Sequence, residues 1–245
     1  MNYYENNENK ITQTTPFFKI LLLGESNVGK TCLKVRYVDD TFPLDYKATI
    51  GVDYKIKLVN INSKEAVKLS IWDTAGQERY RSISKSYMHN SQAIILCYDI
   101  TDRGSYDEII NYWLPLTRNT VHSTECTIII VGNKLDKKNF RKVTNEEAKE
   151  FCDINNLKYF ETSAMKNLNV EELFITIAKE INFKQEEKIK RMNEKRRLKE
   201  NEKEKGNNKN VTTEFIEPFS NIQDKSIMSE RDRGRHGLSK KSKCC

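Results

Sequence analysis

The sequence predicts an α/β fold: a six-stranded, mostly parallel sheet with helices on both faces. Three observations predict it. Short apolar runs rich in β-branched residues alternate with helical stretches from residue 17 to about 182. A glycine-containing loop, Gly24-Glu25-Ser26-Asn27-Val28-Gly29-Lys30-Thr31, follows the first of those runs directly. Gly24, Asp73, Asn133 and Ser163 all fall at the ends of apolar runs, where open parallel sheets carry their ligands.

The expected strands are Phe17–Leu23, Asp53–Ile61, Ala66–Trp72, Ala93–Asp99, Thr127–Val131 and Lys158–Glu161. The second and third lie either side of Asn62-Ser63, which predicts a hairpin and makes the second antiparallel to its neighbour. The others need helical crossovers and therefore run parallel, buried on both faces. Helix starts are marked as capping boxes by Ser105 with Glu108, Thr144 with Glu147, and Asn169 with Glu172. Beyond Phe183, residues 184–205 are dense in Lys, Arg and Glu and continue the last helix as a solvated rod. Ile189, Met192 and Leu198 do not sustain a heptad there.

A length of 245 residues suits one domain with tails. The expected division is an N-terminal arm at 1–16, a domain at 17–182 and a charged tail at 183–245. No apolar stretch approaches the length of a membrane span. The first fifteen residues are rich in Asn and Glu and lack the apolar core of a signal peptide, so they read as a disordered arm. Asn2 stands where N-myristoylation needs glycine. The chain carries 42 Lys/Arg against 35 Asp/Glu, and the tail alone carries 18 against 11, so all the excess positive charge sits in the tail. Interleaved glutamates around Lys195-Arg196-Arg197 argue against a nucleic-acid patch. Cys32, Cys97, Cys126 and Cys152 follow no disulfide or zinc spacing and read as free thiols. His89, His122 and His236 are isolated and read as non-catalytic.

The loop at 24–31 is a P-loop, which specifies the three-layer P-loop NTPase form of the α/β fold. Backbone N–H groups of Gly24, Ser26, Asn27, Val28, Gly29 and Cys32 can surround a polyphosphate. Lys30 reaches the β- and γ-phosphates, and the Thr31 hydroxyl can sit on Mg²⁺. The helix that follows points its positive dipole end at the same anion. Asp73 closes a strand and can hold Mg²⁺ directly or through a water. Thr49 supplies a second hydroxyl for the metal, Gly76 an N–H for the γ-phosphate, and Gln77 a side chain placed to orient a water for in-line attack. The base is read by Asn133-Lys134-Leu135-Asp136. The Asp136 carboxylate accepts from guanine N1 and N2, a donor pair that adenine lacks; Asn133 meets N7 and O6, and the Lys134 stem lies along the ring. Backbone N–H groups at Ser163-Ala164 reach O6.

With these motifs, residues 17 to about 182 resemble the Ras superfamily of small GTPases, and within it the Rab family. The Rab character lies in Ile50-Gly51-Val52-Asp53-Tyr54, in Trp72 through Ser84, in Leu96 through Thr101 and in the terminal Cys244-Cys245. The resemblance implies that Phe42 lies against the guanine ring and that Ser163, Ala164 and Met165 form the third base-contacting segment. Met165 stands in place of the family's lysine, which keeps the packing and drops a charge. Tyr54 replaces the usual Phe, and Ser86-Tyr87-Met88-His89-Asn90 departs from the family's aromatic pair and glycine.

The implied activity is a switch, with GTP and GDP as the bound nucleotides and Mg²⁺ as cofactor. The GTP form holds Thr49 and Gly76 on the γ-phosphate and presents a surface to effectors regulating vesicle trafficking. Lys30 and Gln77 are the catalytic pair. Arg79 and Arg81 belong to the second switch and supply no arginine finger in cis, so intrinsic turnover is slow. A partner adding an arginine accelerates such reactions roughly 10³–10⁵-fold. The implied partners are that activating protein (TBC type), an exchange factor, a GDP-dissociation inhibitor and an escort protein. The Cys244-Cys245 ending resembles one that receives two geranylgeranyl groups. Lys240, Lys241 and Lys243 then add attraction to an anionic cytosolic leaflet. That places the protein on the cytoplasmic face of endomembranes, with a cytosolic pool. Two other readings compete: a nucleotide-locked, membrane-tethered scaffold that does not cycle, and a P-loop ATPase or kinase, which the Asn133-Lys134 and Asp136 set opposes.

Overall fold

The computed structural model describes residues 15–43, 49–76, 81–121 and 126–207, with backbone alone at 81–84 and 201–207. The chain divides into two units, Met1–Arg196 and Arg197–Cys245. In the first, β1 (Phe17–Leu23) leads into α1 (Lys30–Asp39), and the hairpin β2 (Val52–Asn60) and β3 (Ala66–Thr74) follows. Then come α2 (Arg81–Met88), β4 (Ala93–Asp99), α3 (Arg103–Glu108) and α4 (Leu114–Thr120), the last two joined by a π-helical turn at Ile109–Trp113. The remainder is β5 (Thr127–Asn133), a 3₁₀ turn at Leu135–Phe140, α5 (Asn145–Ile154), β6 (Lys158–Glu161) and α6 (Val170–Asn207), whose residues from Arg197 on belong to the second unit.

The six strands form one sheet in the order β2-β3-β1-β4-β5-β6, antiparallel only between β2 and β3. Period-two alternation along β1 divides its side chains between two buried layers. Ile20 and Leu22 pack with Leu33 and Tyr37 of α1 and Phe174 and Ile177 of α6. Leu21 and Leu23 pack with Met88, Tyr106, Trp113 and Ala148 on the opposite face. Burial on both faces is why β4 and β5 read as unbroken apolar runs rather than alternating ones.

The expected strands are all present: β1, β4 and β6 have the expected bounds, and ends of β2, β3 and β5 are displaced by one or two residues. β3 runs on to Thr74 and β5 to Asn133, because pairing with β2 and β4 extends to those positions. The hairpin turn closes around Asn62, whose Oδ1 accepts the backbone N–H groups of Lys64 and Glu65. Of the three capping boxes, Thr144 caps α5 as expected, its side chain accepting from the Glu147 backbone. Ser105 does not cap: Asp102 does, accepting from Gly104 N, while the Ser105 hydroxyl turns back to donate to the Asp102 carbonyl at 2.7 Å. Asn169 precedes α6 at φ 57°, and its amide donates to the Glu161 carbonyl at 2.8 Å, which ties the helix start to β6.

Candidate functional site

Parallel pairing of β1, β3, β4, β5 and β6 brings their carboxyl ends to one rim, and the motif residues stand along it. Gly24 leaves β1 at φ +136°, and a Cβ there would lie 2.1 Å from the Cys97 carbonyl oxygen of β4. Only glycine lets the loop lie this close to the strand. Gly29 turns at φ +95° into α1, and a Cβ there would meet the Asn133 amide nitrogen at 2.4 Å. The loop then turns into α1, which aims its N-terminal dipole at the concavity. Lys30 is buried, and its Nζ donates to the Gly24 and Glu25 carbonyls, each at 2.8 Å. An ammonium has three donors, so one remains for an anion in the loop. Burial pulls the Lys30 ammonium below its usual pKa, against the attraction of Asp73.

Beside it, three oxygens from three segments converge. The Thr31 hydroxyl donates to Asp73 Oδ2 at 2.7 Å and stands 2.9 Å from the Thr49 hydroxyl, which reaches the same carboxylate oxygen at 3.4 Å. Neighbouring ligands of an octahedral Mg²⁺ stand about 2.9 Å apart, since each lies about 2.0–2.1 Å from the ion. Asp73 is fully buried, and among the described residues nothing donates to its Oδ1. Burial pushes its carboxyl up, opposed by the Thr31 hydrogen bond and by the charges of Lys34 and Lys30. A buried, half-satisfied carboxylate with two hydroxyls fits a small hard cation that takes its remaining ligands from phosphate and water. Among the described residues no group of three or more His, Cys, Asp or Glu is placed to hold a metal ion.

The residues expected to read the base stand at the ends of β5 and β6. Asn133 is buried, donating to the Val28 carbonyl at 2.9 Å and accepting from Thr162 at 3.2 Å, so it ties the P-loop to the 162–168 loop. Lys134 adopts φ 67° and pairs with Asp99 at 2.7 Å. The Ser163 hydroxyl donates to Asp136 Oδ1 at 2.5 Å, which aims the carboxylate. Ala164 is buried, and its carbonyl accepts from Arg36 Nε at 2.8 Å; Met165 is half-exposed. Phe42 is partly buried just past the end of α1.

The structure thus brings together Gly24, Ser26, Asn27, Val28, Gly29, Lys30, Thr31, Cys32, Thr49, Asp73, Gly76, Asn133, Lys134, Asp136, Ser163, Ala164 and Met165 along one rim of the sheet. Gln77, Cys244 and Cys245 lie outside the described residues. Sequence reading missed several supports of this rim. Lys34 is almost wholly buried, paired with Asp53 and 3.5 Å from Asp73. Its signal was helical spacing, since 30, 33, 34 and 37 form the inward face of α1. Trp113 Nε1 donates to Glu25 at 3.0 Å across 88 residues of sequence, for which no local signal exists.

Comparison with known proteins agrees with this geometry. The family model described as "Ras family" matches residues 19–183. The GTP-binding protein YPT1 of Saccharomyces cerevisiae is 49% identical over 164 residues, 67% of this chain and 78% of that protein. The Ras-related protein Rab-13 of Rattus norvegicus is 42% identical over 167 residues, 68% of this chain and 81% of its own. The Ras-related protein Rab-1D of Dictyostelium discoideum is 44% identical over 165 residues, 67% and 79% of the two chains. The chain belongs to the Ras family and, within it, to the Rab family of small GTPases, which hydrolyse GTP to GDP and phosphate.

Proposed function

We propose that the protein is a membrane-tethered switch of the Rab type, cycling between GTP and GDP and recruiting effectors in its GTP form during vesicle traffic. The division of labour is a GTPase domain at 17–182, an N-terminal arm, and a charged tail that carries lipid on Cys244 and Cys245. The observation that carries the reading is the meeting of Thr31, Thr49 and Asp73. Thr49 belongs to the segment before β2, so a ligand shared between it and the P-loop holds that segment in place. Loss of the γ-phosphate removes part of what holds it.

In the catalytic step Lys30 draws charge from the β- and γ-oxygens, and Gln77 aligns the attacking water with the γ-phosphorus. The Gly76 N–H holds a γ-oxygen. Thr31, Thr49 and Asp73 would hold Mg²⁺, which when bound neutralises charge on the β- and γ-phosphates. Asp136, aimed by Ser163, reads N1 and N2 of guanine, while Asn133 and the Ala164 N–H serve O6; Met165 and Phe42 flank the ring. The intrinsic rate is slow and rises with an activating protein, and an exchange factor, a dissociation inhibitor and an escort protein complete the cycle.

An exposed apolar surface supports effector binding. Ile50 is 85% and Tyr54 is 54% exposed, and Tyr54 stacks on Trp72 with ring centroids 5.0 Å apart, next to Tyr87. Among the described residues no helix is long and apolar enough to cross a membrane, so tethering falls to the tail cysteines and to Lys240, Lys241 and Lys243 against an anionic leaflet.

The test is to identify the nucleotide released from the purified full chain and then to compete GTP against ATP for reloading with Mg²⁺. Bound GDP or GTP without competition from ATP is expected. A site filled by ATP would overturn the base reading.

A further inference from the structure

A lysine beside the carboxylate of a cation site is an unusual placement, because burying an ammonium is costly unless it is paired. Lys34 is 1% exposed. Its Nζ bonds Asp53 Oδ2, and it stands 3.5 Å from Asp73 Oδ2, the same oxygen that accepts the Thr31 hydroxyl. The two carboxylates differ in setting. Asp73 is fully buried at the end of β3, whereas the Asp53 side chain is 63% exposed near the start of β2. The ammonium therefore bridges a buried anion at the cation site and an outer one that solvent and partner proteins can reach.

We propose that Lys34 sets the affinity of the site for its divalent cation, with Asp53 as the outer station that draws the ammonium away from Asp73. The inference rests on the reading of Thr31, Thr49 and Asp73 as metal ligands. An ammonium on Asp73 repels a second cation at the same carboxylate; an ammonium on Asp53 repels it less. A charged neighbour within about 4–6 Å shifts a buried carboxylate's affinity for a proton by roughly one to three powers of ten, and the same repulsion acts on a metal ion. A partner that engages Asp53 with a basic side chain would release Lys34 onto Asp73, loosen the cation, and with it the nucleotide. Asp53 thus becomes a handle for nucleotide release that touches neither phosphate nor base.

The test uses two substitutions expected to act in opposite directions, which a merely structural role would not do. Mn²⁺ affinity is measured by electron paramagnetic resonance on the GDP-bound full chain. Lys34→Met removes the competing charge and keeps an apolar stem, so Mn²⁺ should bind about tenfold tighter or more. Asp53→Asn removes the outer charge and leaves Asp73 as the one anion paired with Lys34 among the described residues, so Mn²⁺ should bind about tenfold more weakly. Affinities that move in the same direction, or stay within about twofold, overturn the proposal. If Lys34→Met fails to fold, the exposed Asp53→Asn decides alone: weaker binding supports the proposal, while unchanged or tighter binding overturns it. Thr31→Ala separates the two levels of the argument. If Thr31→Ala leaves Mn²⁺ affinity unchanged, the metal-site reading itself fails. If it weakens Mn²⁺ while the other two variants have no effect, only the role of Lys34 fails.

Discussion

Gly76→Ala offers a sharp test of the proposed contact between the Gly76 N–H and the γ-phosphate. A Cβ on Gly76 would lie 2.5 Å from the Glu25 carbonyl carbon and 2.5 Å from the Ser26 nitrogen, whereas ordinary contact begins at 3.4 Å. Both obstacles are P-loop backbone, held in place by the close approach of Gly24 to β4, so neither can swing aside as a flexible side chain would. The segment must therefore retreat by about 1 Å, taking the Gly76 N–H with it, and a misplacement of that size costs about 10²-fold in rate. That corresponds to about 2.7 kcal/mol on the barrier. GDP has no γ-phosphate, so its release should stay within about twofold of wild type. The assay is single-turnover hydrolysis of preloaded GTP, followed chromatographically, alongside release of a fluorescent GDP analogue. Hydrolysis at the wild-type rate would refute the reasoning, as would equal losses for GTP hydrolysis and GDP retention.

Gln77→Leu should lower intrinsic hydrolysis in the same single-turnover assay while leaving nucleotide binding intact; unchanged turnover would remove Gln77 from the role of water-orienting residue. Arg36→Met keeps the aliphatic stem of α1 but removes the donor to the Ala164 carbonyl, so GDP should dissociate about tenfold faster, the worth of one charge-assisted hydrogen bond. Dissociation at the wild-type rate would show that the 162–168 loop holds its place without that bond. Burial pushes the Glu161 carboxyl up, but the hydrogen bonds from Arg141 and Tyr159 outweigh it and hold the group below its usual range. The stability it contributes is therefore complete above its unfolded value of about 4.3 and is lost as pH falls through the lower folded one. Glu161→Gln should be less stable at neutral pH and lose less on acidification, as read from thermal melts across that window; parallel curves would contradict this.

Much of this molecule is legible in its residues one after another. The P-loop needs glycine where a Cβ would strike Cys97 or Asn133, and that need is written in an eight-residue pattern. Burial on both sheet faces makes β4 and β5 continuous apolar runs, and β1 carries one from Ile20 to Leu23, which locates the three within a residue or two. Thr144 caps α5 because a cap and the backbone N–H that donates to it lie three residues apart, within reach of local reasoning. Ser105 carries the same local pattern but lies inside α3, because Asp102 starts the helix three residues earlier and accepts from Gly104 N.

What only the tertiary structure decided is which distant groups became partners. Arg36 meets Ala164 across 128 residues of sequence and Trp113 meets Glu25 across 88, so each base or phosphate loop is held by an element that no local pattern associates with it. Lys34 had the composition of a surface residue and the position of a buried one, and its helical phase relative to Lys30, Leu33 and Tyr37 decided between them. Periodicity states which way a side chain points. The charge it meets there is determined by the strands folded against it, because electrostatic partners are selected by distance in space and not by separation along the chain.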